Sequence, residues 1–331
     1  MLLASVLPLL ASSLTSPLLG LAPLTETDVA HLQQAPRAWL SRAKDPPIPP
    51  AFDAREAWPG CIGPVLDQGT CGSCWAVSAV ATMSDRLCIE RREVQKKQNA
   101  TFEQLSMMQV VACDKGPLEP GGNKGCEGGQ PWAAMSYAHE KGGLVPEACY
   151  PYLKPDGPIG TCSDEPCLKF QTTPKCPASL FHKDPICADA SRRHWKDVAV
   201  ELTQSDYIVQ LSTPMALEIM HYGPITASMV VYDDFLNYTS GVYRVNSDTA
   251  VGAHAVKIIG WGSDPEPYWL VQNSWTTRWG EGGYFRIRRG DDSCEANICN
   301  LCNAVMWYGN HSDLTTGRPA TIVDVMSGPL A

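Results

Sequence analysis

The sequence predicts an α+β protein of two lobes, a helical lobe followed by a lobe rich in β-strands. In residues 51–200, helical patterns alternate with Gly- and Pro-rich loops, and most of the cysteines occur there. In residues 203–307, short β-rich runs are bounded by Gly, Pro or Asp. The 331 residues of the chain are enough for one or two domains with sizeable cores.

Residues 1–23 are predicted to be a secretory leader. They are apolar, rich in Leu, Ala and Ser, and free of charge, although the usual positive start is missing. A membrane anchor is the alternative, but Pro8, Pro17 and Pro23 make the run a poor membrane span. We therefore expect the leader to be cleaved, with no membrane attachment afterwards.

The main domain is predicted at residues 50–307, with a mainly helical, Cys-rich lobe at 50–200 and a β-rich lobe at 201–307. A helical pattern at 24–42 and a stiff proline-rich linker precede it, and a low-charge tail at 308–331 follows it. Predicted helices lie near Cys74–Arg91, Phe102–Ala112 and Gln130–Lys141, and predicted strands at Ile225–Val231, Ala255–Trp261, Tyr268–Gln272 and Tyr284–Arg288.

Composition narrows the class of function. The net charge of −9 argues against nucleic acid and anionic membranes as partners. Fourteen cysteines behind a leader indicate an oxidising compartment and a disulfide framework. Three glycosylation sequons, at Asn99, Asn237 and Asn310, fit the same secretory route.

Cys74 is the candidate nucleophile. A Gly-rich stretch precedes it, and an apolar run typical of a buried helix begins at Trp75. A thiol on the first turn of a helix faces the positive end of the helix dipole, which lowers its pKa and favours the reactive thiolate.

Three further side chains complete the set that a cysteine hydrolase needs. His254, beside a mostly apolar and strand-like run, is placed to take the thiol proton, and Asn273 to hold the imidazole in the useful tautomer. Gln68 can place its amide, with the backbone N–H of Cys74, on the oxyanion of the tetrahedral intermediate.

Two other cysteine patterns would predict redox or metal chemistry. Cys71 and Cys74 form a C-x-x-C, as in redox pairs, but no βαβ pattern surrounds them. Cys294, Cys299 and Cys302 have a cluster-like spacing, but a fourth ligand is not evident. We predict no metal and no cofactor.

The segment around Cys74 resembles the local signature of papain and cathepsin cysteine proteases. Further segments are similar to that family: Cys126–Gly129, Tyr150–Tyr152, Gly223–Ile225 and Trp279–Phe285. Four others resemble its cathepsin B type: Pro50–Pro59, Asp85–Ile89, Thr173–Cys176 and Tyr232–Phe235. The resemblance covers roughly residues 24–307. It implies a papain-like fold with the active site in the cleft between the lobes, and it makes residues 24–49 a short propeptide.

The resemblance also implies disulfides and a substrate cleft. The implied disulfides are Cys61–Cys88, Cys71–Cys126, Cys113–Cys176, Cys149–Cys187 and Cys162–Cys167. One pair and one free thiol are then expected among Cys294, Cys299 and Cys302. The implied substrate-binding residues are Gly128, Gly129, Pro131, Ala227, Ala255, Trp275 and Cys299, of which Pro131, Ala227, Ala255 and Cys299 form the S2 pocket.

Two departures from cathepsin B bear on specificity. The short loop Cys162–Cys167 lacks the histidine pair that binds a substrate's C-terminal carboxylate, and its Asp164 and Glu165 repel one. Cys299 replaces the glutamate at the floor of the S2 pocket, which then favours apolar residues, although a small shift in register brings Glu295 nearby.

The sequence is therefore interpreted as a secreted or lysosome-like cysteine endopeptidase with little carboxydipeptidase activity. Its expected partners are protein and peptide substrates and cystatin-type inhibitors. The alternative is a catalytically silent homologue that binds or adheres. Because Cys74, His254 and Asn273 are all present, the sequence favours the enzyme.

Overall fold

The structure is a computed structural model, and it is described at residues 19–21, 47–93, 95–96, 99–114, 123–152, 173, 176, 186–188, 192–200, 207–209, 212–289 and 303–306. The predicted helix at 24–42, the loop Cys162–Cys167, the three cysteines after residue 290, Asn310 and the tail lie outside these residues.

Helices dominate the first lobe. Within the described residues they are α1 (Ala54–Ala57), α2 (Cys74–Glu93), α3 (Met107–Cys113), α4 (Pro131–Glu140), α5 (Trp195–Val198) and, in the second lobe, α6 (Ser212–Tyr222). Helix α3 is shorter than predicted, because the Ser106 side chain accepts a hydrogen bond from the backbone N–H of Gln109 and so caps the helix there. Helix α6 was not predicted.

An eight-stranded sheet forms the second lobe. Its strands are β1 (Phe52–Asp53), β2 (Tyr207–Val209), β3 (Ile225–Tyr232), β4 (Val242–Tyr243), β5 (Ala250–Gly262), β6 (Tyr268–Gln272), β7 (Tyr284–Arg288) and β8 (Asn303–Met306). The strand order is β2-β8-β3-β5-β6-β7-β4, and β1 adds to β5. The pairs are antiparallel except β4–β7, and all four predicted strands are found.

Helix α2 lies at the boundary between the lobes. Every residue from Cys74 to Glu90 is buried, because the helix packs against α3 and α4 on one side and against β3 and β5 on the other. Two buried ion pairs tie it to the second lobe: Asp85 Oδ2 lies 2.5 Å from Lys257 Nζ of β5, and Arg86 Nη1 lies 3.0 Å from Glu218 Oε1 of α6. The helix that begins with Cys74 is therefore fixed against the strand that carries His254.

Covalent links hold the first lobe. The described residues contain four disulfides, which are four of the five pairs implied by the family resemblance: Cys61–Cys88, Cys71–Cys126, Cys113–Cys176 and Cys149–Cys187. Asn99 and Asn237 are exposed, as glycosylation acceptors must be. In the described part of the chain, no helix is both long and apolar enough to span a bilayer.

Candidate active site

Cys74 is the first residue of α2 and its thiol is fully buried. The Cys71–Cys126 disulfide and a hydrogen bond from Gly72 N–H to Cys126 O, 2.9 Å, fix the loop before it. Its Sγ accepts hydrogen bonds from the N–H of Ala255 at 3.4 Å and from the N–H of Gly20 at 3.3 Å. Among the described residues, it is the one cysteine outside a disulfide.

His254 and Asn273 lie in contact, on β5 and just after β6. Asn273 Oδ1 is 2.8 Å from His254 Nε2 and also accepts the N–H of Ser274 at 2.8 Å. Because that backbone N–H can only donate, it identifies Oδ1 as the amide end that faces the ring. Nε2 is then the protonated ring nitrogen, and Nδ1 keeps its lone pair as a base.

Trp275 covers the His254–Asn273 pair. Its ring stacks on the imidazole with centroids 4.7 Å apart and 26° between the planes. The rings of Phe235 and Trp279 pack against the Trp275 ring, with centroid distances of 5.8 and 5.1 Å. Trp275 is predicted both to shield the His254–Asn273 contact and to line the substrate side, and its ring lies over the imidazole.

Gln68 contacts the loop that leads to the candidate nucleophile Cys74. Its Nε2 donates to Cys71 O at 3.0 Å, and its Oε1 accepts from Ser274 Oγ at 2.6 Å. Its backbone N–H donates to Ser274 O at 3.0 Å. Ser274, in the second lobe, therefore holds a side chain of the first lobe in place.

Residues 19–21 run across the cleft, although they fall in the stretch predicted as a leader. Besides the contact with Cys74, Gly129 N–H donates to Gly20 O at 3.0 Å and Leu21 N–H donates to Ala253 O at 3.3 Å. Leu21 pairs with Gly129 as a parallel bridge. Leu19 is buried and joins the core cluster that includes Ala227. The leader remains a prediction, and its removal beyond residue 21 would remove these contacts.

Burial sets the charge states of Cys74 and His254. Burial raises the pKa of the Cys74 thiol to about 11, against the opposing hydrogen bonds from Ala255 and Gly20, so the lowered pKa expected from the helix start is not found while the thiol is buried. The same effect lowers the pKa of His254 to about 4, against the opposing bond to Asn273. Both groups are therefore neutral at neutral pH in the covered cleft. Among the described residues, Nδ1 of His254 has no hydrogen-bond partner.

The other predicted substrate-binding residues are described except for Cys299. Gly129 follows Gly128 and leads into α4, which starts at Pro131. A side chain at 129 would put Cβ 2.4 Å from Asn123 Oδ1 and 2.6 Å from the Trp75 ring, so only glycine fits there. Ala227 and Ala255 are buried on the neighbouring strands β3 and β5.

Sequence reasoning missed three residues at this site. Ser274, which bonds Gln68, lies within the Asn-Ser-Trp segment and was open to prediction. Tyr152, which contacts the Gln68 loop, has a sequence signal only through the family resemblance of Tyr150–Tyr152. Gly20 carried no signal, because a leader-like composition masks its role. Among the described residues, no cluster of three or more His, Cys, Asp or Glu side chains is arranged to hold a metal ion.

Comparison with known proteins gives consistent likenesses. A family model described as papain family cysteine protease matches residues 48–306. A cathepsin B-like cysteine proteinase of Schistosoma japonicum is 37% identical over 260 residues, which cover 75% of this chain and 70% of that protein. The structure of procathepsin B S9 from Trypanosoma congolense matches with a TM-score of 0.68 and 28% identity, over 89% of this chain and 87% of that one. Bromelain from Ananas comosus, in complex with the E64 inhibitor, has a TM-score of 0.54 at 24% identity, over 80% of this chain and 100% of that one, and shows likeness of fold alone.

Proposed function

Because the chain belongs to the papain family of cysteine proteases, whose α+β two-lobed fold it has, we propose that it is a cathepsin B-like endopeptidase acting through Cys74, His254 and Asn273. The observation that carries this proposal is the pairing of His254 Nε2 with Asn273 Oδ1 at 2.8 Å. That contact leaves Nδ1 as the basic nitrogen of His254. The preceding residue, Ala253, lies at the cleft, where its carbonyl oxygen accepts the N–H of Leu21.

The reaction follows from these groups. The Cys74 proton passes to His254 Nδ1 as sulfur attacks the substrate carbonyl, whose oxygen becomes an oxyanion. The amide of Gln68 and the N–H of Cys74 stabilise that charge. The proton on Nδ1 then moves to the leaving amine, the C–N bond breaks and a thioester remains. Water attacks the thioester, gives a proton to Nδ1 and releases the carboxylic acid, and the thiolate regains the proton.

The test is covalent labelling of the activated enzyme. An epoxide-type thiol inhibitor should modify one cysteine, and peptide mapping should place it at Cys74. Cys74→Ser should fold as wild type and lose turnover by several orders of magnitude, because a hydroxyl is a far weaker nucleophile at this pH. Hydrolysis at the wild-type rate in that variant would remove the mechanism.

Specificity is proposed from the sequence of the Cys162–Cys167 loop, since that loop lies outside the described residues. It contains no histidine and two carboxylates, so a substrate with a free carboxylate two residues past the scissile bond should gain nothing there. We expect an internally quenched peptide to be cleaved at least as fast as its dipeptide-releasing counterpart, compared by kcat/KM. A strong preference for the substrate with the free carboxylate would contradict endopeptidase specificity. It would not affect the assignment of Cys74 as the nucleophile.

The setting is proposed to be the secretory route, ending in a lysosome-like vesicle or outside the cell. Support comes from the disulfides, which persist in oxidising compartments, and from the exposed sequons at Asn99 and Asn237. The family acts on protein substrates. Cystatin-type inhibitors are proposed as partners on the family resemblance alone.

A further inference from the structure

The hydroxyl of Tyr152 lies beneath the loop that carries two groups assigned to catalysis. It is 3.0 Å from the carbonyl oxygen of Gln68 and 2.7 Å from Oγ of Ser73. Since a carbonyl can only accept, Tyr152 donates to Gln68, and Ser73 donates to Tyr152. The Tyr152 hydroxyl therefore connects the two ends of the loop 68–73. One end is the backbone carbonyl of Gln68, and the other is the side chain of Ser73, the residue before Cys74.

The contact with Tyr152 acts on the backbone that orients the Gln68 amide. Ser274 holds the Gln68 N–H and Oε1, and Tyr152 holds its carbonyl. Ser274 lies in the second lobe and Tyr152 in the first, so hydrogen bonds from both lobes fix the position of Gln68. Without the Tyr152 bond, we expect the peptide after Gln68 to rotate more freely, and the side-chain amide, which contacts Ser274 Oγ and Cys71 O, to shift with that backbone.

Tyr152 is itself rigidly placed. Its ring belongs to the buried core of the first lobe, and its backbone N–H donates to Glu147 Oε1 at 2.5 Å. A hydroxyl on such a frame has a fixed position, so it can define the position of a loop that has little regular structure of its own.

We propose that Tyr152 is a positioning residue, which holds the Gln68 amide at the place where the oxyanion forms. The inference rests on the proposed function, because it needs Gln68 as an oxyanion donor. Tyr152 does not need to touch the substrate for this role. Its loss should weaken transition-state stabilisation and leave ground-state binding and thiol reactivity in place.

The experiment compares wild type, Tyr152→Phe, Gln68→Ala and the double variant. All are produced as the full chain and activated by the same limited proteolysis. Phe keeps the ring and removes only the hydroxyl, and Ser73 Oγ can turn to Cys71 O, 3.5 Å away. Tyr150→Phe is the matched control, since the Tyr150 ring packs on Trp195 at 5.1 Å. Thermal unfolding checks that each variant folds.

For Tyr152→Phe we expect kcat to fall roughly tenfold with KM within about twofold, since a displaced oxyanion donor acts on the transition state alone. The alkylation rate of Cys74 by iodoacetamide, which forms no oxyanion, should stay within about twofold. The double variant should be no slower than Gln68→Ala, because both changes act through one amide. Tyr150→Phe should match wild type.

Three results would overturn the inference: a wild-type kcat in Tyr152→Phe, a loss that multiplies with that of Gln68→Ala, or an equal fall in the alkylation rate. Failure of the underlying function would look different. In that case Gln68→Ala would keep wild-type kcat, or wild type would not be alkylated at Cys74 at all.

Discussion

Position 20 has room for no side chain. A Cβ there would lie 1.7 Å from the carbonyl oxygen of Gly72, which is backbone and cannot move aside without shifting the loop before Cys74. The same residue donates its N–H to the thiol. The fit of residues 19–21 in the cleft therefore depends on glycine at this position.

The substitution Gly20→Ala should expose the thiol. In the refolded full-length chain, we expect the epoxide inhibitor to label Cys74 about tenfold faster in the variant than in wild type, because the segment no longer seats on Gly72. Pro47→Ala, at an exposed linker position, should label at the wild-type rate. Equal rates for Gly20→Ala and wild type would show that the segment does not protect the thiol.

At the scale of elements, the sequence predicts what depends on local pattern. The helix after Cys74 and the four strands are apolar runs with clear boundaries, and they were found. Helix α6 was missed because its residues lie in the part of the sequence that was predicted to be β-rich. The hydrogen bonds Ser274–Gln68 and Tyr152–Gln68 join residues 206 and 84 positions apart, so only the tertiary fold brings them together. Gly20 was missed because it lies in a leader-like stretch whose composition gives no signal for a contact with Cys74.

The segment from Glu147 to Tyr152 carries a buried carboxyl. Glu147 accepts the N–H of Tyr152 at 2.5 Å and also accepts from the N–H of Met107, the first residue of α3. Burial nevertheless dominates and raises the pKa of Glu147 to about 7 from an ordinary 4.5. Its other oxygen, Oε2, is buried without a hydrogen-bond partner in the described residues.

A raised carboxyl pKa means that the unfolded chain ionises first. The stability from the protonated group is complete below about pH 4.5 and is lost as the pH rises to about 7, at about 1.4 kcal/mol per pKa unit at most. Glu147→Gln should remove this loss, measured as the change in the free energy of unfolding between pH 4.5 and 7.5. The control variant Glu103→Gln, at a partly exposed carboxyl, should show the same loss of stability with rising pH as wild type. An unchanged pH slope in Glu147→Gln would contradict the burial argument.

At the scale of the whole molecule, we expect the covering of the cleft by residues 19–21 to be coupled to the titration of His254. The covered state holds the imidazole at a pKa of about 4, against an ordinary 6.5, because burial disfavours its charged form. A lowered pKa stabilises the covered state fully above pH 6.5, and this stability is lost as the pH falls towards 4. Acid should therefore release residues 19–21 from the cleft, and water that enters then lowers the pKa of the thiol.

Hydrogen exchange can measure this release in the full chain, in a Cys74→Ser background that prevents self-cleavage. The amides of Gly129 and Leu21 donate across the cleft only while it is covered. After correction for intrinsic exchange rates, their protection should fall roughly tenfold per pH unit between pH 6.5 and 4. His254→Gln cannot gain the proton, so its protection should stay level over that range. If both proteins lose protection equally, the acid sensitivity belongs to another group, and the coupling between cleft burial and His254 is absent.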